Sequence, residues 1–148
     1  MAIAEQPIAA EDFSAELRRM TAFVANGSLE PALRECKLIA EEAMLGNFME
    51  GRRADGTPWP PRKRNYPHPI LIKTAHLMHS VVSESEPGHV ENVGAREMYT
   101  GTNVFYAGFH QFGTKNLPAR PFVEVPDHAV DAMEETVANF IINTIFGG

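Results

Sequence analysis

Residues 106–122, YAGFHQFGTKNLPARPF, place an imidazole, an amide and a guanidinium among glycines, prolines and aromatic rings. His110 carries the ring that most often transfers protons in enzymes, and Arg120 carries a planar cation that suits a bidentate carboxylate partner. The same groups, with Gln111, can instead hydrogen-bond the backbone of an irregular segment that cannot pair by itself. Two prolines flank Arg120 and fix the direction of the chain there. The stretch therefore indicates either a chemical site or the fastenings of a loop.

We predict a fastened loop whose aromatic rings anchor it to the core. The residues expected to fasten it are Tyr106, His110, Gln111, Gly113, Arg120, Pro121 and Phe122. The rings expected to reach the core are Tyr106, Phe109, Phe112 and Phe122. The carboxylate that suits Arg120 lies either in the same chain or across an interface, and both alternatives remain open at this point.

Six histidines raise the question of a metal site. His76 and His79 stand three residues apart on a predicted helix, close enough to share a face and chelate an ion. A third ligand would have to come from elsewhere in the chain: His68, His89, His110 or His128. Because no carboxylate lies at a matching spacing on that helix, we interpret the pair as solvent-facing polar side chains and predict no metal site.

Other catalytic patterns are missing from the sequence. Cys36, the sole cysteine, lies on an apolar helix face, which is typical of a small buried hydrophobe. No serine has a nucleophile elbow around it, and there is no phosphate-binding loop, dinucleotide fingerprint or zinc-protease motif. Glu124 and Asp127 stand beside a predicted helix start, where acids usually complement the macrodipole. We therefore predict a non-catalytic protein without a cofactor.

Charge is unevenly distributed along the chain. The net charge is -6, yet residues 51–73 carry 6 bases and 1 acid, whereas residues 74–148 carry 9 acids and 3 bases. A local basic segment on an acidic body favours docking between complementary protein surfaces over general nucleic-acid binding, which usually accompanies an overall basic domain. The residues that we expect to contact a partner or another copy are Arg52, Arg53, Trp59, Arg62, Lys63, Arg64 and Arg120.

Residues 51–69, GRRADGTPWPPRKRNYPHP, are predicted to be a long loop, because 5 prolines and 2 glycines break any regular structure. In one interpretation the loop is solvated and Trp59 folds back onto the body. In a second, the basic residues within 52–64 contact DNA while Trp59 and Tyr66 stack on bases. In the third, which we favour, the loop docks onto an acidic surface of a partner or of a neighbouring copy.

Apolar periodicity predicts the elements that position these residues. The first helix has its stripe at Phe13, Leu17, Met20 and Val24 and ends at Asn26-Gly27. The second runs from the N-cap Ser28 to about Phe48 and packs on two sides, a third is capped at Thr74, and the last starts at Pro126 and Asp127. Strands are predicted near 89–93 and 96–102 and in RPFVEV, residues 120–125, with one or two helical turns near 105–112.

This order predicts an α+β fold, with a small antiparallel sheet packed with N-terminal and C-terminal helices and one long basic, proline-rich loop. We expect one domain over 1–148. No run of about 18 apolar residues is present, so no membrane span is expected. The N-terminal residues show no signal-peptide pattern, and the single cysteine fits a reducing cytoplasm.

Three segments together resemble the phage virion morphogenesis, or tail completion, family of tailed bacteriophages and prophages, which includes the G protein of Mu-like phages. The family has a G-x-x-W-x-P loop, an IL-x-x-(T/S)-G-x-L-x-x-S helix, a YA-x-x-H-Q-x-G segment and a P-A-R-P-F segment. The matching residues are Gly56, Trp59, Pro61, Ile70, Leu71, Thr74, Leu77, Ser80, Tyr106, Ala107, His110, Gln111, Gly113, Pro118, Ala119, Arg120, Pro121 and Phe122. The resemblance covers about residues 40–146.

One position departs from the family pattern, since Ala75 stands where the family usually has glycine. We expect this change to leave the fold intact, because alanine is the better helix former.

The resemblance implies a structural protein that acts in tail completion or head–tail joining at the head-proximal end of the tail. The implied partners are other tail or neck proteins, such as the tail tube, the tail terminator or the head connector. A protein that caps a six-fold tube is expected to form a closed ring, for example a hexamer. The implied location is the virion tail or neck, reached from the bacterial cytoplasm during assembly. DNA contact through the basic loop is the alternative.

Overall fold

The computed structural model describes residues 10–147; residues 1–9, Gly148 and the side chains of residues 10–13 lie outside this description. The helices in this range are α1 (Ala10–Asn26), α2 (Glu30–Glu50), α3 (His76–Val82), α4 (Ala107–Phe112) and α5 (Asp127–Phe146). Strands β1 (His89–Val93) and β2 (Met98–Thr102) form an antiparallel pair. The predicted α+β class is confirmed. None of the described helices is long and apolar enough to cross a membrane.

Helix α2 is the central element, and it packs on two sides as its wide apolar face predicts. One side faces α5, and the other faces α3 and the hairpin. Near its start, the Ser28 hydroxyl accepts the N–H of Glu30 at 3.2 Å. Gly51 ends the helix with a φ of 65°, and the N–H groups of Gly51 and Arg52 both donate to the Asn47 carbonyl. Glycine suits this position because the left-handed conformation costs other residues about 1–2 kcal/mol.

The hairpin pairs His89 with Thr102 at one end and Val93 with Met98 at the other. The N–H of Gly94 donates to the carbonyl of Glu97 and closes the turn. Strand β2 therefore begins two residues later than the predicted start, because residues 94–97 form the turn. Helix α3 lies against both strands.

The core lies where α2, α3, the long loop and the segment around residue 122 meet. The ring of Phe48 meets Trp59 edge-on, with 5.9 Å between centroids, and lies 5.0 Å from the ring of Phe122. The other buried members are Ala40, Met44, Leu77, Met78, Val81 and Ala107. The long loop therefore contributes a central side chain to the core.

One expectation about the elements is wrong. Residues 120–125 form no strand; they are irregular, with a bend at Val123. The apolar stripe of α1 is exposed at Leu17, Met20 and Val24. The side chain of Phe13 lies outside the described residues. Because α2 uses both of its faces on other elements, α1 packs mainly against α5.

Ala75 stands just before α3 with a φ of 62°, in the left-handed conformation. Helix α3 begins at His76, and the hydroxyl of Thr74 accepts the N–H of His76 at 3.3 Å. The helix propensity of alanine is therefore not the reason that the fold tolerates this change, since the residue lies outside the helix. Its backbone is one that glycine adopts without strain.

Replacing Ala75 with glycine is expected to raise the free energy of unfolding by about 0.5–1 kcal/mol, because the left-handed strain is relieved. Urea unfolding followed by circular dichroism measures the change. The control is Ala138→Gly at an exposed position of α5, which is expected to lower the stability by about 1 kcal/mol. Equal losses in the two variants would contradict the expectation.

Candidate functional site

Two side-chain amides hold residues 120–124 in place. The Oε1 atom of Gln111 accepts the N–H groups of Phe122 and Val123, both at 2.9 Å. The Nδ2 atom of Asn47 donates to the carbonyls of Phe122 and Glu124, both at 3.0 Å, and Asn47 is 1% exposed. A neighbouring strand would supply bonds of this kind to an extended segment. The two amides therefore take the place of a strand.

The long loop is joined to this segment by Trp59 and Arg120. The indole N–H of Trp59 donates to the carbonyl of Pro121 at 2.8 Å. Arg120 donates from Nε to the carbonyl of Pro60 at 2.9 Å and from Nη2 to that of Pro61 at 3.2 Å. Trp59 is 4% exposed and Arg120 is 7% exposed. Both were proposed as partner contacts, and Arg120 also as a fastener of the loop; their side-chain hydrogen bonds fasten the long loop of this chain.

The Arg120 contacts differ from the expected chemistry in one respect. The predicted partner of its guanidinium was a carboxylate, but the described residues supply two proline carbonyls instead. Burial lowers the pKa of Arg120, and the nearby charge of Arg62 lowers it further. The guanidinium is therefore held in place without a counter-charge from the described side chains, those of residues 14–147.

The remaining predicted fasteners lie in and beside α4. The carbonyl of His110 accepts the N–H of Arg120 at 2.7 Å, and the ring of Tyr106 meets that of His110 edge-on at 6.2 Å. Gly113 has a φ of 76°, and a Cβ there would lie 2.8 Å from the nitrogen of Ala119. Glycine is therefore required at this turn. Burial lowers the pKa of His110, and the charge of Arg120 acts in the same direction, which favours the neutral ring.

Two of the predicted aromatic anchors do not reach the core. Phe109 is exposed, and Phe112 is 81% exposed. The reason is that α4 is short and buries only its first residue, Ala107. Phe105, just before α4, is also exposed and meets Phe109 edge-on. Phe122 and the partly buried Tyr106 are the rings that pack on the core.

The positive charges of Arg52 and Arg53 are each paired with a carboxylate of the same chain. Arg52 forms an ion pair with Glu50, and Nη2 of Arg53 lies 2.8 Å from Oε1 of Glu124. The second oxygen of Glu124 accepts the N–H of Ala54 at 3.2 Å. Arg53 therefore ties the start of the loop to the segment after Phe122, and the charges of both arginines already have partners.

The remaining cations of the basic segment surround two cavities of about 370 Å³ and 310 Å³. The cavities share Arg62, Tyr66 and Arg120, and we call them together the basic cleft. The cations that line the cleft are Arg62, Lys63, Arg64, Lys73 and Arg120. Among the side chains of residues 14–147, no acidic one lines either cavity. The cleft therefore collects positive charge on a protein whose net charge is -6.

Arg62 gives the cleft its local order. It donates from Nη1 to the carbonyl of His68 at 2.6 Å and from Nη2 to that of Tyr66 at 3.3 Å. Its guanidinium carbon also lies 5.6 Å from the centre of the Tyr66 ring. Lys63 and Arg64, by contrast, are exposed. The cleft therefore combines fixed guanidinium groups inside with free cations at the rim.

The two histidines considered for a metal site do not converge on one point. Nδ1 of His76 lies 2.5 Å from Oε1 of Glu86, whereas His79 is exposed. The pattern of His76 and His79 is therefore that of separate polar side chains, as the sequence analysis interpreted them.

A different group of residues, between α2 and the hairpin, has the spacing of metal ligands: Glu41, His89 and Glu91. This group already contains a cation, because Nζ of the buried Lys37 lies 2.9 Å from Oε2 of Glu91 and 3.8 Å from Oε1 of Glu41. Glu84 approaches the same ammonium at 2.7 Å. Lys37 therefore occupies the position that a metal ion would need.

Burial disfavours the charged forms of Lys37 and Glu91, but the hydrogen bonds of Lys37 to Glu84 and Glu91, and that of His89 to Glu91, outweigh it. As a result, the pKa of Lys37 is raised and that of Glu91 is lowered. Thr100 donates to Glu41 at 2.7 Å, and Nε2 of His89 lies 2.9 Å from Glu91. The cluster therefore fixes the hairpin to α2 by charge.

Sequence analysis missed the roles of Asn47 and Lys37. Both are polar residues within the apolar face of α2, and that position was the available signal, because a polar group buried there needs a specific partner. Their partners, Phe122 and Glu91, lie 75 and 54 residues away in the chain. Helical periodicity gives no information on contacts over such separations.

Comparison with known proteins agrees with the family resemblance. The model of the Phage virion morphogenesis family matches residues 29–141, which include the long loop, the hairpin and the basic cleft. The protein "Mu-like prophage FluMu G protein 2" of Haemophilus influenzae is 31% identical over 134 residues, which cover 85% of this chain and 87% of that protein. No solved structure matches. The chain therefore belongs to the phage virion morphogenesis family, and its role is structural, in the building of the virion.

Proposed function

We propose that this protein completes the tail or joins it to the head, at the head-proximal end of the tail, without catalysing a reaction. The observation that carries the proposal is the basic cleft on an acidic body, within a chain of the virion morphogenesis family. Fixed guanidinium groups and exposed lysines suit a joint between proteins, because complementary charges steer association and fix its register. The similarity to a Mu-like G protein points the same way.

The partners that fit this role are the tail tube, the tail terminator and the head connector, together with further copies of this chain. A tube with six-fold symmetry favours a ring of six copies, in which each copy contacts the next through two different surfaces. Assembly then takes place in the bacterial cytoplasm, and the protein ends in the virion tail or neck.

DNA contact at the same end of the tail is the second candidate. Lys63, Arg64 and Tyr66 are exposed, and cations beside a ring can meet phosphates and stack on bases. Arg62 suits DNA less well, because both of its terminal nitrogens are bonded to loop carbonyls.

Deletion of the gene in its phage or prophage tests the proposed role. After induction, electron microscopy is expected to show filled heads and separate or incomplete tails, and infectious particles are expected to be lost. The wild-type gene supplied in trans should restore them. Joined, infectious particles from the deletion strain would contradict the proposal.

A further inference from the structure

We propose that the basic cleft binds carboxylate side chains, and that its occupant is the acidic first half of helix α5 in a second copy of this chain. The inference rests on the proposed assembly function and adds the residues on each side of the contact. Its basis is the charge balance of the cleft, the apolar groups inside it and the composition of α5.

Charge balance gives the first reason. Arg120 is buried in the cleft wall, and within the part of the chain whose side chains are described its guanidinium bonds only to the carbonyls of Pro60 and Pro61. A buried cation without a counter-charge is costly, since carbonyl groups carry only partial charge. Its Nη1 group makes no hydrogen bond to the described residues, so it remains able to donate to a ligand. A carboxylate beside Arg62 and Arg120 would offset both charges.

The lining of the larger cavity gives the second reason. Ile70, Leu77 and Tyr106 supply apolar surface next to the guanidinium groups. This combination fits an acidic side chain that lies beside an apolar side chain, an arrangement that occurs on protein surfaces. A DNA phosphate is flanked by sugars and bases instead, and cations that follow a phosphate backbone lie in open grooves. The buried position of Arg120 therefore favours a protein ligand.

Helix α5 offers the matching chemistry. It contains no lysine or arginine, and its acidic residues are Asp127, Asp131, Glu134 and Glu135. All four are exposed. Val130 is also exposed and stands four residues before Glu134, so an apolar group and a carboxylate share one face of the helix. None of these residues lines the cleft of the same chain, so the contact joins two copies through different surfaces.

Sedimentation velocity at low ionic strength tests the contact with two charge-reversal variants. The cleft variant carries Lys63→Glu and Lys73→Glu, and the helix variant carries Asp131→Lys and Glu134→Lys; all four side chains are exposed, so the fold should survive. We expect the wild-type chain to self-associate and each variant to do so at least about 10-fold more weakly. Circular dichroism checks that both variants are folded.

A mixture of the two variants gives the sharper result. The cleft variant retains an intact α5, and the helix variant retains an intact cleft, so a wild-type contact remains possible between them. We expect an equimolar mixture to form a complex that neither variant forms alone. Failure to form that complex would overturn the pairing of these two surfaces.

The matched control is Glu35→Lys with Glu42→Lys on the exposed face of α2, which changes the net charge by the same amount as the helix variant. Unchanged association of the control supports the proposal, and an equal loss would overturn it. A wild-type chain that stays monomeric at every concentration would also overturn it. If the cleft variant loses salt-dependent binding to duplex DNA but associates normally, the cleft binds nucleic acid instead.

The gene-deletion assay separates this inference from the proposed function. If the helix variant restores infectious particles in the deletion strain as well as the wild-type gene does, the contact between copies is overturned while the assembly role stands. If the deletion itself has no effect on particle formation, the assembly role fails, whatever the sedimentation results show.

Discussion

Replacing Trp59 with alanine is expected to lower the free energy of unfolding by about 3–5 kcal/mol, the usual cost of truncating a buried tryptophan. The ring fills the centre of the core against Phe48, and its N–H satisfies the carbonyl of Pro121. Both contributions are lost together, and residues 51–69 lose their main attachment. Urea unfolding followed by circular dichroism measures the loss, and hydrogen exchange should show faster exchange across this loop.

The control for this variant is Trp59→Phe, which keeps an apolar ring but removes the indole N–H. Its expected cost is smaller, about 1–3 kcal/mol, because it leaves the Pro121 carbonyl unpaired while most of the burial remains. A loss below about 1 kcal/mol for Trp59→Ala would contradict the placement of the ring in the core and would return Trp59 to the surface as a candidate partner contact.

Replacing Lys37 with methionine is expected to cost about 3–5 kcal/mol, because it removes the only ammonium among three carboxylates. Methionine fills a similar volume, so the loss of stability reflects the missing charge more than a change in packing. Glu41 and Glu91 would then face each other at the hairpin without a counter-charge from lysine. Thermal or urea unfolding at neutral pH measures the effect.

The pH dependence of this variant provides the internal check. The pKa of Glu91 is lowered in the wild type, so its stabilising contribution is present above the ordinary value of 4.5 and is lost as the pH falls through the folded-state pKa. In Lys37→Met, Glu91 loses the lysine that lowers its pKa, so it is easier to protonate and acid costs this variant less. The stability difference between the two proteins should therefore narrow below about pH 4.5. Lys115→Met at an exposed site should stay within about 0.5 kcal/mol of the wild type at neutral pH.

The elements with local sequence signals were predictable. Helices α2 and α5 follow from apolar periodicity and nearby caps, and the hairpin follows from turn residues on either side of its strands. The segment RPFVEV was not predictable in the same way. Its alternation is that of a strand, but the bonds that hold it come from Gln111 and Asn47, and no local pattern distinguishes an amide partner from a strand partner.

The site was predictable in composition but not in arrangement. The sequence identifies the basic segment, yet it cannot distinguish Arg53, which pairs with Glu124 71 residues away, from Lys63, which is exposed at the cleft. Likewise, the rings near α4 all resemble anchors in the sequence. Only the three-dimensional arrangement shows that Phe112 faces solvent and Phe122 faces the core.

The hydrogen bonds that Trp59 and Arg120 make between the long loop and the segment around residue 121 also set an order of events during synthesis. Trp59 and Pro121 are separated by 62 residues, and Arg120 reaches Pro60 over a separation of 60. Contacts over such distances form late, because the chain between them must first be brought together. A nascent chain therefore carries its basic loop unattached until Arg120 and Pro121 have left the ribosome. The cleft therefore forms only after Arg120 and Pro121 have been synthesised, and a chain that stops before these residues lacks it.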